Sequence, residues 1–469
     1  MKVSLIFTSI EINPHNKAVA FRDERLGFVP PISLLHVAAL LEREGVVVDL
    51  IDMEAENLSY PEALERIRGF APDLLGFTVT TWSFHSALQW IKRFKADTAL
   101  PVLVGGEHLR LYPDETMAYD AIDFCIIGEA ELPLPDFIRA FREGRSFEGI
   151  KSLGYRKNGR VVIDRTLQYV EDLNSVPFPA RHLIKNELYE NILSRKKNFT
   201  ALISTRGCPF NCAFCSHNQL KYRFRSPGNV VDEIELNLKN FAIRDFDIYD
   251  STFTVDRIRV IEICKEIRRR KLDVGFTVRS RVDVMDKEMI DSLKSAGCHT
   301  ILYGIESSNP EILKMMNKGI SPELVVETIR YTKQSGIDIL GFFLFGFPGE
   351  TRETIEDTIR FSLELPLDYA LYSILLPMPD TEVYRYYQER GLGDFWAEYT
   401  LDESKPGLIE FVDTGVTRAE TEVYALKAYK RFYFRPRIIW KRFIKIRSFG
   451  EFRRMLGGAI GILTNNDGK

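Results

Sequence analysis

Three cysteines, Cys208, Cys212 and Cys215, fall inside the segment TRGCPFNCAFCSH (205–217) of a chain that has six in all. Their spacing is C-x3-C-x2-C, with no second C-x-x-C pair elsewhere. A structural zinc site is closed by four protein ligands. Only the neighbouring His217 stands near enough in sequence to complete such a set. A 4Fe–4S cluster held by three thiolates leaves one iron open to an external ligand. An open iron suits catalysis, and a simple electron carrier has no use for one. The thiol count therefore favours the cluster over zinc.

The elements that position these thiols belong to a chain of 469 residues, long enough for two or three domains. Hydrophobic residues make up 45% and charged residues 28%, the balance of a globular protein with large cores. A net charge of −3 argues against nucleic-acid binding by the chain as a whole. The opening MKVSLIFTSI turns polar at Glu11 and lacks a signal peptide's longer apolar region. No apolar run reaches the roughly 18 residues of a membrane span. A cytoplasmic location follows, and in a reducing compartment a thiol cluster binds metal sooner than it forms disulfides. The isolated Cys125, Cys264 and Cys298 sit in apolar surroundings and read as buried, inert thiols.

Residues 1–145 alternate short apolar strands (KVSLIF, VVVDLIDM, LLGFTVT, PVLVGG, FCIIG) with amphipathic helices such as ISLLHVAALLERE. That pattern predicts a doubly wound, Rossmann-like α/β domain, which binds ligands at the carboxyl ends of its strands. Those ends carry Thr78, Thr80, Thr81, Gly105, Gly106 and Gly128. Residues 146–198, with an NGR turn and the proline-punctuated LNSVPFPAR, read as a linker. Over 199–395 six further strand candidates alternate with helices: TALISTRG, DFDIYDSTF, VGFTVRSR, TILYGIES, DILGFFLFGF and YALYSILLPM. Six βα units predict a partial (β/α)6 barrel, and the cysteines follow its first strand, where such folds place catalytic groups. Residues 396–469 read as mostly helical.

At the cysteines the chain resembles the radical S-adenosylmethionine (AdoMet) enzymes, whose signature has this spacing and an aromatic residue, here Phe214, before the third cysteine. The resemblance extends over about residues 170–400. It implies that the three cysteines hold a 4Fe–4S cluster and that AdoMet chelates the open iron and is cleaved reductively. GIESSNPEILKMMNKG (304–319) is similar to the family's fourth-strand segment, which places Glu306 and Ser307 beside AdoMet. GFFLFGFPGET (341–351), with Gly346, is similar to the segment whose backbone lies near the adenine, and RSRVD (279–283) makes Arg281 a partner for the AdoMet carboxylate. Bland readings stand beside these: Glu306 as a helix cap, Arg281 as an ordinary ion-pair residue, Pro348-Gly349 as a simple turn. One departure is Asp380 in PMPDTEVY, where relatives often have glycine.

A doubly wound domain ahead of such a barrel resembles the cobalamin-binding subclass. The matched stretches are FVPPISLLHVAALLEREGVVVDLID, GFTVTTWSFHSA, VGGEH and IIGEAE, so Thr78, Thr80, Gly105, Gly106, Gly128 and Glu129 become candidate cobalamin contacts. None of the seven histidines fits the D-x-H-x-x-G pattern that ligates cobalt from below in other cobalamin proteins. Relatives in this subclass usually lack it too. A domain that keeps the fold without the cofactor is the alternative. The resemblance implies methyl transfer to an unactivated carbon of a small-molecule or lipid-like substrate, served by an electron donor such as flavodoxin or ferredoxin. Within the same architecture the rival is a radical cyclase or rearrangement enzyme of the magnesium-protoporphyrin ester cyclase kind. A non-catalytic iron–sulfur or cobalamin carrier would not need the GIES and FGFPGET segments.

The segment 427–454 holds eleven Lys or Arg, one acid and eight aromatics, the composition of a helix lying on anionic lipid. Basic plus aromatic also suits single-stranded nucleic acid. A helix packed on the barrel with its charges outward explains the same composition.

Overall fold

A computed structural model describes residues 1–8, 27–196, 198–436 and 438–439. Its contacts form two compact units. The first holds the N-terminal strand, Phe28–Tyr189 and Leu392–Gly407; the second holds Glu190–Gly391 and the chain from Leu408 onward.

The first unit is built on β1 (Lys2–Phe7), β2 (Val47–Asp52), β3 (Leu74–Thr78), β4 (Val102–Gly105) and β5 (Phe124–Ile126). Between these strands lie α1 (Ile32–Arg43), α2 (Tyr60–Phe70), α3 (Phe84–Thr98), α4 (Glu107–Leu111) and α5 (Pro113–Met117). The five strands are parallel in the order β2-β1-β3-β4-β5, the doubly wound arrangement with its switch point between β1 and β3. Val3, Leu5, Val48, Leu50, Leu74 and Leu103 pack under α1 and α6 (Pro133–Glu143). Ile6, Ile51, Leu75, Phe77 and Val104, of the opposite parity, are equally buried, so both faces are covered. Local chemistry starts the helices: at α2, Ser59 N–H donates to Glu62 Oε2 at 2.8 Å in a capping box, with Pro61 in the first turn.

The sheet continues beyond the five expected strands. The NGR turn joins β6 (Leu153–Lys157) to β7 (Arg160–Ile163), an antiparallel hairpin that adds to β5. Within 173–181, Ala180 packs in the same core as α1, and its N–H donates to Leu35 O at 3.0 Å. Tyr189 closes the segment by donating its hydroxyl to Asp52 Oδ2 at 2.8 Å. Most of the expected linker is thus part of the first unit, because its apolar residues find a surface to cover.

In the second unit all six expected strands form one parallel sheet that curls through 181°. They are β8 (Phe199–Leu202), then β11 (Asp245–Ile248), β12 (Gly275–Ser280), β13 (Cys298–Glu306), β14 (Asp338–Phe345) and β15 (Tyr369–Ile374). A small ribbon, β9 (Thr205–Arg206) with β10 (Arg223–Phe224), follows β8. Helices α7 (Pro227–Phe241), α8 (Arg257–Arg269), α9 (Lys287–Ser295), α10 (Pro310–Met315), α11 (Pro322–Gln334), α12 (Arg352–Glu364) and α13 (Glu382–Tyr387) complete the barrel. The core lies between sheet and helices, with Phe246, Val278, Ile301, Tyr303, Ile339 and Phe343 against Val231, Ile263, Leu293, Ile329 and Ile359. Among the described residues no helix is long and apolar enough to cross a membrane.

The region after the barrel divides between the units. α14 (Phe395–Leu401) belongs to the first, where Tyr399 stacks on His85 at 4.0 Å and Tyr112 donates to Asp394 Oδ1 at 2.9 Å. An irregular stretch leads to α15 (Arg418–Tyr433) in the second. There Tyr433 donates to Ala370 O at 2.8 Å, and Tyr372 N–H donates to Tyr429 Oη at 3.1 Å, which covers the edge strand β15. The first part of the basic segment 427–454 is therefore a packed helix of the fold. Its residues 437 and 440–454 lie outside the described residues.

The turn from β14 into α12 is held by Glu350, whose Oε2 accepts from Gly346 N–H at 2.6 Å and Phe347 N–H at 3.1 Å. Its Oε1 is buried without a partner, and burial pushes the carboxyl up to about 7. The folded state then holds a proton between the ordinary carboxyl value and about 7 that the unfolded state has released, so stability falls as pH rises through that window. Glu350→Gln keeps the acceptor and removes the titration. It should flatten the urea midpoint between pH 5 and pH 8, so that the variant gains on the wild type as pH rises through that window. A variant with the wild-type pH slope would contradict this origin of the turn's pH dependence.

Candidate active site

The cysteine loop leaves the sheet at a fixed point. Asp250 Oδ1 accepts from Ser204 N–H at 2.7 Å and Thr205 N–H at 2.9 Å, and Arg259 Nη2 donates to Ser204 Oγ at 2.7 Å. Gly207 then turns the chain with φ +72°; a Cβ there would lie 2.4 Å from Leu220 O. Two straps hold the loop: Ala213 N–H donates to Met316 O at 3.0 Å, and Val383 N–H donates to Ala213 O at 2.9 Å. Cys208 Sγ lies 3.8 Å from Thr252 Oγ1. All three thiols are half-buried and His217 is exposed. Burial pushes the Cys212 and Cys215 thiols up, and the other cysteines add to it, which places all three within electrostatic reach of one another. Among the described residues no three His, Cys, Asp or Glu donors converge on a single ion. A cubane takes one thiolate on each of three irons, so its donors stand apart. The donor set thus fits a cluster better than one tetrahedral zinc.

Cations stand beside these thiols. Arg281 Nη1 donates to Cys212 Sγ at 3.3 Å, and its guanidinium lies 4.1 Å from the Phe210 ring. The rest of Arg281 is engaged by Asp283, at 2.9 and 2.8 Å, and by Lys318 O. Lys318 Nζ donates to Glu306 Oε1 at 2.8 Å and lies 5.9 Å from the Phe214 ring. Both Arg281 and Lys318 oppose the upward shift of Cys212. Glu306 ends β13 with φ +66°, at a break in the β13–β14 register, a conformation that costs energy outside glycine. Gly304 lies beneath it: a Cβ there would lie 2.6 Å from both Glu306 Oε1 and Lys318 Nζ, so the pair would have to shift.

The expected residues Cys212, Phe214, Arg281 and Glu306 therefore come together, and Lys318, Asp283 and Phe210 join them. Lys318 was missed, although it stands in the same GIES-to-NKG segment as Glu306. Ser307 differs from expectation. Its hydroxyl is fully buried, 3.3 Å from Thr358 Oγ1, and accepts from Asn309 N–H at 3.2 Å, which ties β13 to α12. Gly346 has φ +88° and is covered by the Phe411 ring. Asp380 adopts φ +63°, the backbone region that glycine would take without strain.

In the first unit the candidates gather at the carboxyl rim. Gly106 has φ +116°, and a Cβ there would lie 2.3 Å from Val79 O, so the turns after β3 and β4 touch through it. A Cβ on Gly105 would meet open space. Thr78 is half-buried, and the exposed Thr80 pairs its hydroxyl with Ser83 Oγ at 2.6 Å. Gly128 has φ +81°, and Glu129 Oε2 accepts from Val170 N–H at 3.0 Å. His108, the histidine nearest this rim in sequence, is fully buried, 4.5 Å from the Phe84 ring and 3.2 Å from Thr81 Oγ1. Burial pushes it down to about 3. Cys125, Cys264 and Cys298 are buried free thiols, the first two pushed up to about 12.

Removing one partner of a buried ion pair leaves the other charge uncompensated. Lys318→Ala should cost about 3–5 kcal/mol by urea denaturation. Replacing both partners, in Glu306→Gln with Lys318→Met, should recover much of that loss. A single variant no weaker than the double one would show that the pair does not hold this rim together.

Comparison with known proteins agrees with both units. The Radical SAM superfamily matches residues 202–362 and the B12 binding domain matches residues 19–138. An uncharacterized methyltransferase of Pyrococcus horikoshii is 32% identical over 90% of this chain and 91% of its own. The anaerobic magnesium-protoporphyrin IX monomethyl ester cyclase of Rubrivivax gelatinosus is 28% identical over 93% of this chain and 79% of its own. Among solved structures, the radical S-adenosylmethionine methyltransferase TsrM of Kitasatospora setae aligns with TM-score 0.66 at 23% identity, over 84% of this chain and 77% of that one. A three-thiol loop on a parallel barrel, joined to a doubly wound B12-type domain and matched along nearly its whole length, places this chain in the radical SAM superfamily, among the enzymes that carry a B12-binding domain.

Proposed function

We propose that this enzyme transfers a methyl group from AdoMet to an unactivated carbon of a small or lipid-like molecule, with a 4Fe–4S cluster and cobalamin as cofactors. The observation that supports it most is the pairing, in one chain, of the three-thiol loop with a B12-binding unit, in a protein whose 32%-identical relative is named a methyltransferase. We assign cobalamin to residues 1–145 and the cluster with AdoMet to 199–395. When bound, the cluster supplies the electron that breaks AdoMet, and cobalamin supplies methyl-group carriage.

The residues divide that work. Cys208, Cys212 and Cys215 are the cluster ligands; two of these thiols are held up by burial, so loading must displace protons. Arg281 and Lys318 offset the negative charge of thiolate ligation. The ion pair of Glu306 and Lys318 offers an acceptor for an ammonium and a donor for a carboxylate, which is what the amino-acid end of AdoMet presents. Phe210 and Phe214 keep water from the loop, and backbone at Ser307 and Gly346 borders the nucleoside. Thr78, Thr80, Gly105, Gly106, Gly128 and Glu129 would hold cobalamin at the strand rim. The reductant is a flavodoxin- or ferredoxin-like donor. We place the enzyme in the cytoplasm, peripheral to the membrane through the end of the basic segment.

The chemistry is read with AdoMet labelled in its methyl group. Labelled product heavier by one methylene supports methyl transfer; unlabelled product that has lost hydrogen supports the cyclase reading. The triple variant Cys208→Ala, Cys212→Ala, Cys215→Ala should lose iron and all 5′-deoxyadenosine formation, whereas Cys264→Ala should keep both. Iron and cleavage retained in the triple variant would end the assignment.

For the membrane contact, α15 must stay intact. Deleting residues 440–469 should release the protein from anionic vesicles and leave AdoMet cleavage unchanged. Each basic residue near such a surface contributes about 1 kcal/mol, so binding of the intact chain should also fall as salt rises. Equal vesicle binding with and without this segment would remove the membrane role.

A further inference from the structure

The two faces of the curled sheet differ. Parallel partners share a face, so the register groups Asp247 with Thr277, Arg279 with Leu302 and Leu340, Gly304 with Phe342 and Leu371, and Leu344 with Ser373. Tyr249, two residues beyond Asp247, continues that face, and the Arg279 guanidinium lies 3.8 Å from its ring. The opposite face, with Val278, Ile301, Tyr303, Ile305, Ile339 and Phe343, is sealed under the helices. The inner face is not sealed: Tyr249 is 52% exposed, Leu371 is 37% exposed, and Phe342 and Ser373 are half-buried.

This inner face divides by chemistry. Its floor is polar and closed, with Asp245 accepting from Arg195 N–H at 2.7 Å and paired with His299 Nε2 at 3.0 Å. On the β11–β12 side each charge is already matched. Asp247 takes both guanidinium nitrogens of Arg279, at 2.7 and 3.1 Å, and the Thr277 hydroxyl at 2.8 Å. The β13–β15 side is hydrocarbon and aromatic, with Leu302, Leu340, Phe342, Leu344 and Leu371, apart from the Glu306–Lys318 ion pair that lies over Gly304. Lys318 is matched by Glu306 and is assigned to AdoMet, so a carboxylate or phosphate on the leucine and phenylalanine surface would meet no other cation among these residues and would be buried unpaired.

We infer that the inner face of β11–β15 is the acceptor pocket and that it takes a neutral molecule with a hydrocarbon or aromatic surface, which lies on Phe342, Leu344 and Leu371 and meets the hydroxyl of Tyr249. The inference rests on the radical-enzyme reading for the identity of the occupant as the acceptor. The pocket itself belongs to the fold, at the rim where Glu306 and the cysteine loop stand.

Two fluorescent probes with one aromatic skeleton test it on the full chain, with and without iron and AdoMet: neutral N-phenylnaphthylamine and anionic anilinonaphthalene sulfonate. The neutral probe should bind saturably and at least about ten-fold more tightly than the sulfonate. Leu371→Glu should weaken it by at least about ten-fold, because a carboxylate then occupies the apolar wall. Ser373→Glu, on the same face, should act alike, and Ile258→Glu, exposed on α8, should have no effect. Iron content and AdoMet cleavage should match the wild type in the Ile258 variant, and the circular dichroism of all three variants should match it. Equal or tighter sulfonate binding, or neutral-probe binding indifferent to Leu371→Glu and Ser373→Glu, overturns the inference. Failure of the wild type to hold iron would overturn the radical-enzyme reading alone, since the probes report with or without the cluster.

Discussion

The buried pairing of Glu306 with Lys318 is the contact on which the rest of the site depends. Neither group is stable alone in the interior, so each exists there because the other does. The pair lies over Gly304, which has no side chain to displace it, and Glu306 adopts a left-handed backbone at the end of β13. From Lys318 the effect spreads through its carbonyl to Arg281 and from Arg281 to Cys212. A strained backbone and two buried charges together set cations beside the Cys212 thiol.

The loop between those thiols is held by means that do not involve them. Asp250 collects two backbone N–H groups before the loop starts, Gly207 turns it, and Met316 and Val383 strap its middle. The course of the loop is therefore set by contacts that do not involve the thiols.

The first unit solves a different problem. At the strand rim Gly106 joins the turns after β3 and β4, in a backbone conformation and a space that leave no room for a side chain. His108 lies close in sequence, yet its ring is packed among aromatics and held neutral by burial. Its contribution is to the support of that rim. The hairpin β6–β7 and helix α14 extend the same support, the helix through Tyr399 on His85.

The sequence by itself determined the local and repetitive features of this protein. Eleven parallel strands, the alternation of helices and the three-thiol motif are written in short runs of residues, because burial of a strand or helix depends on its own periodicity. The position of Cys208, Cys212 and Cys215 after the first barrel strand was legible for the same reason. Tertiary structure alone decided which distant residues meet. Lys318 at Glu306, Asp250 under Ser204, Tyr399 on His85 and the return of α14 to the first unit join positions tens to hundreds apart, and no local pattern encodes such contacts. It also decided the fate of Ser307, whose hydroxyl turned inward to Thr358, and of the basic segment's first turns, which cover β15. A side chain's type tells which chemistry it can do, and only the packing around it tells which partner it keeps.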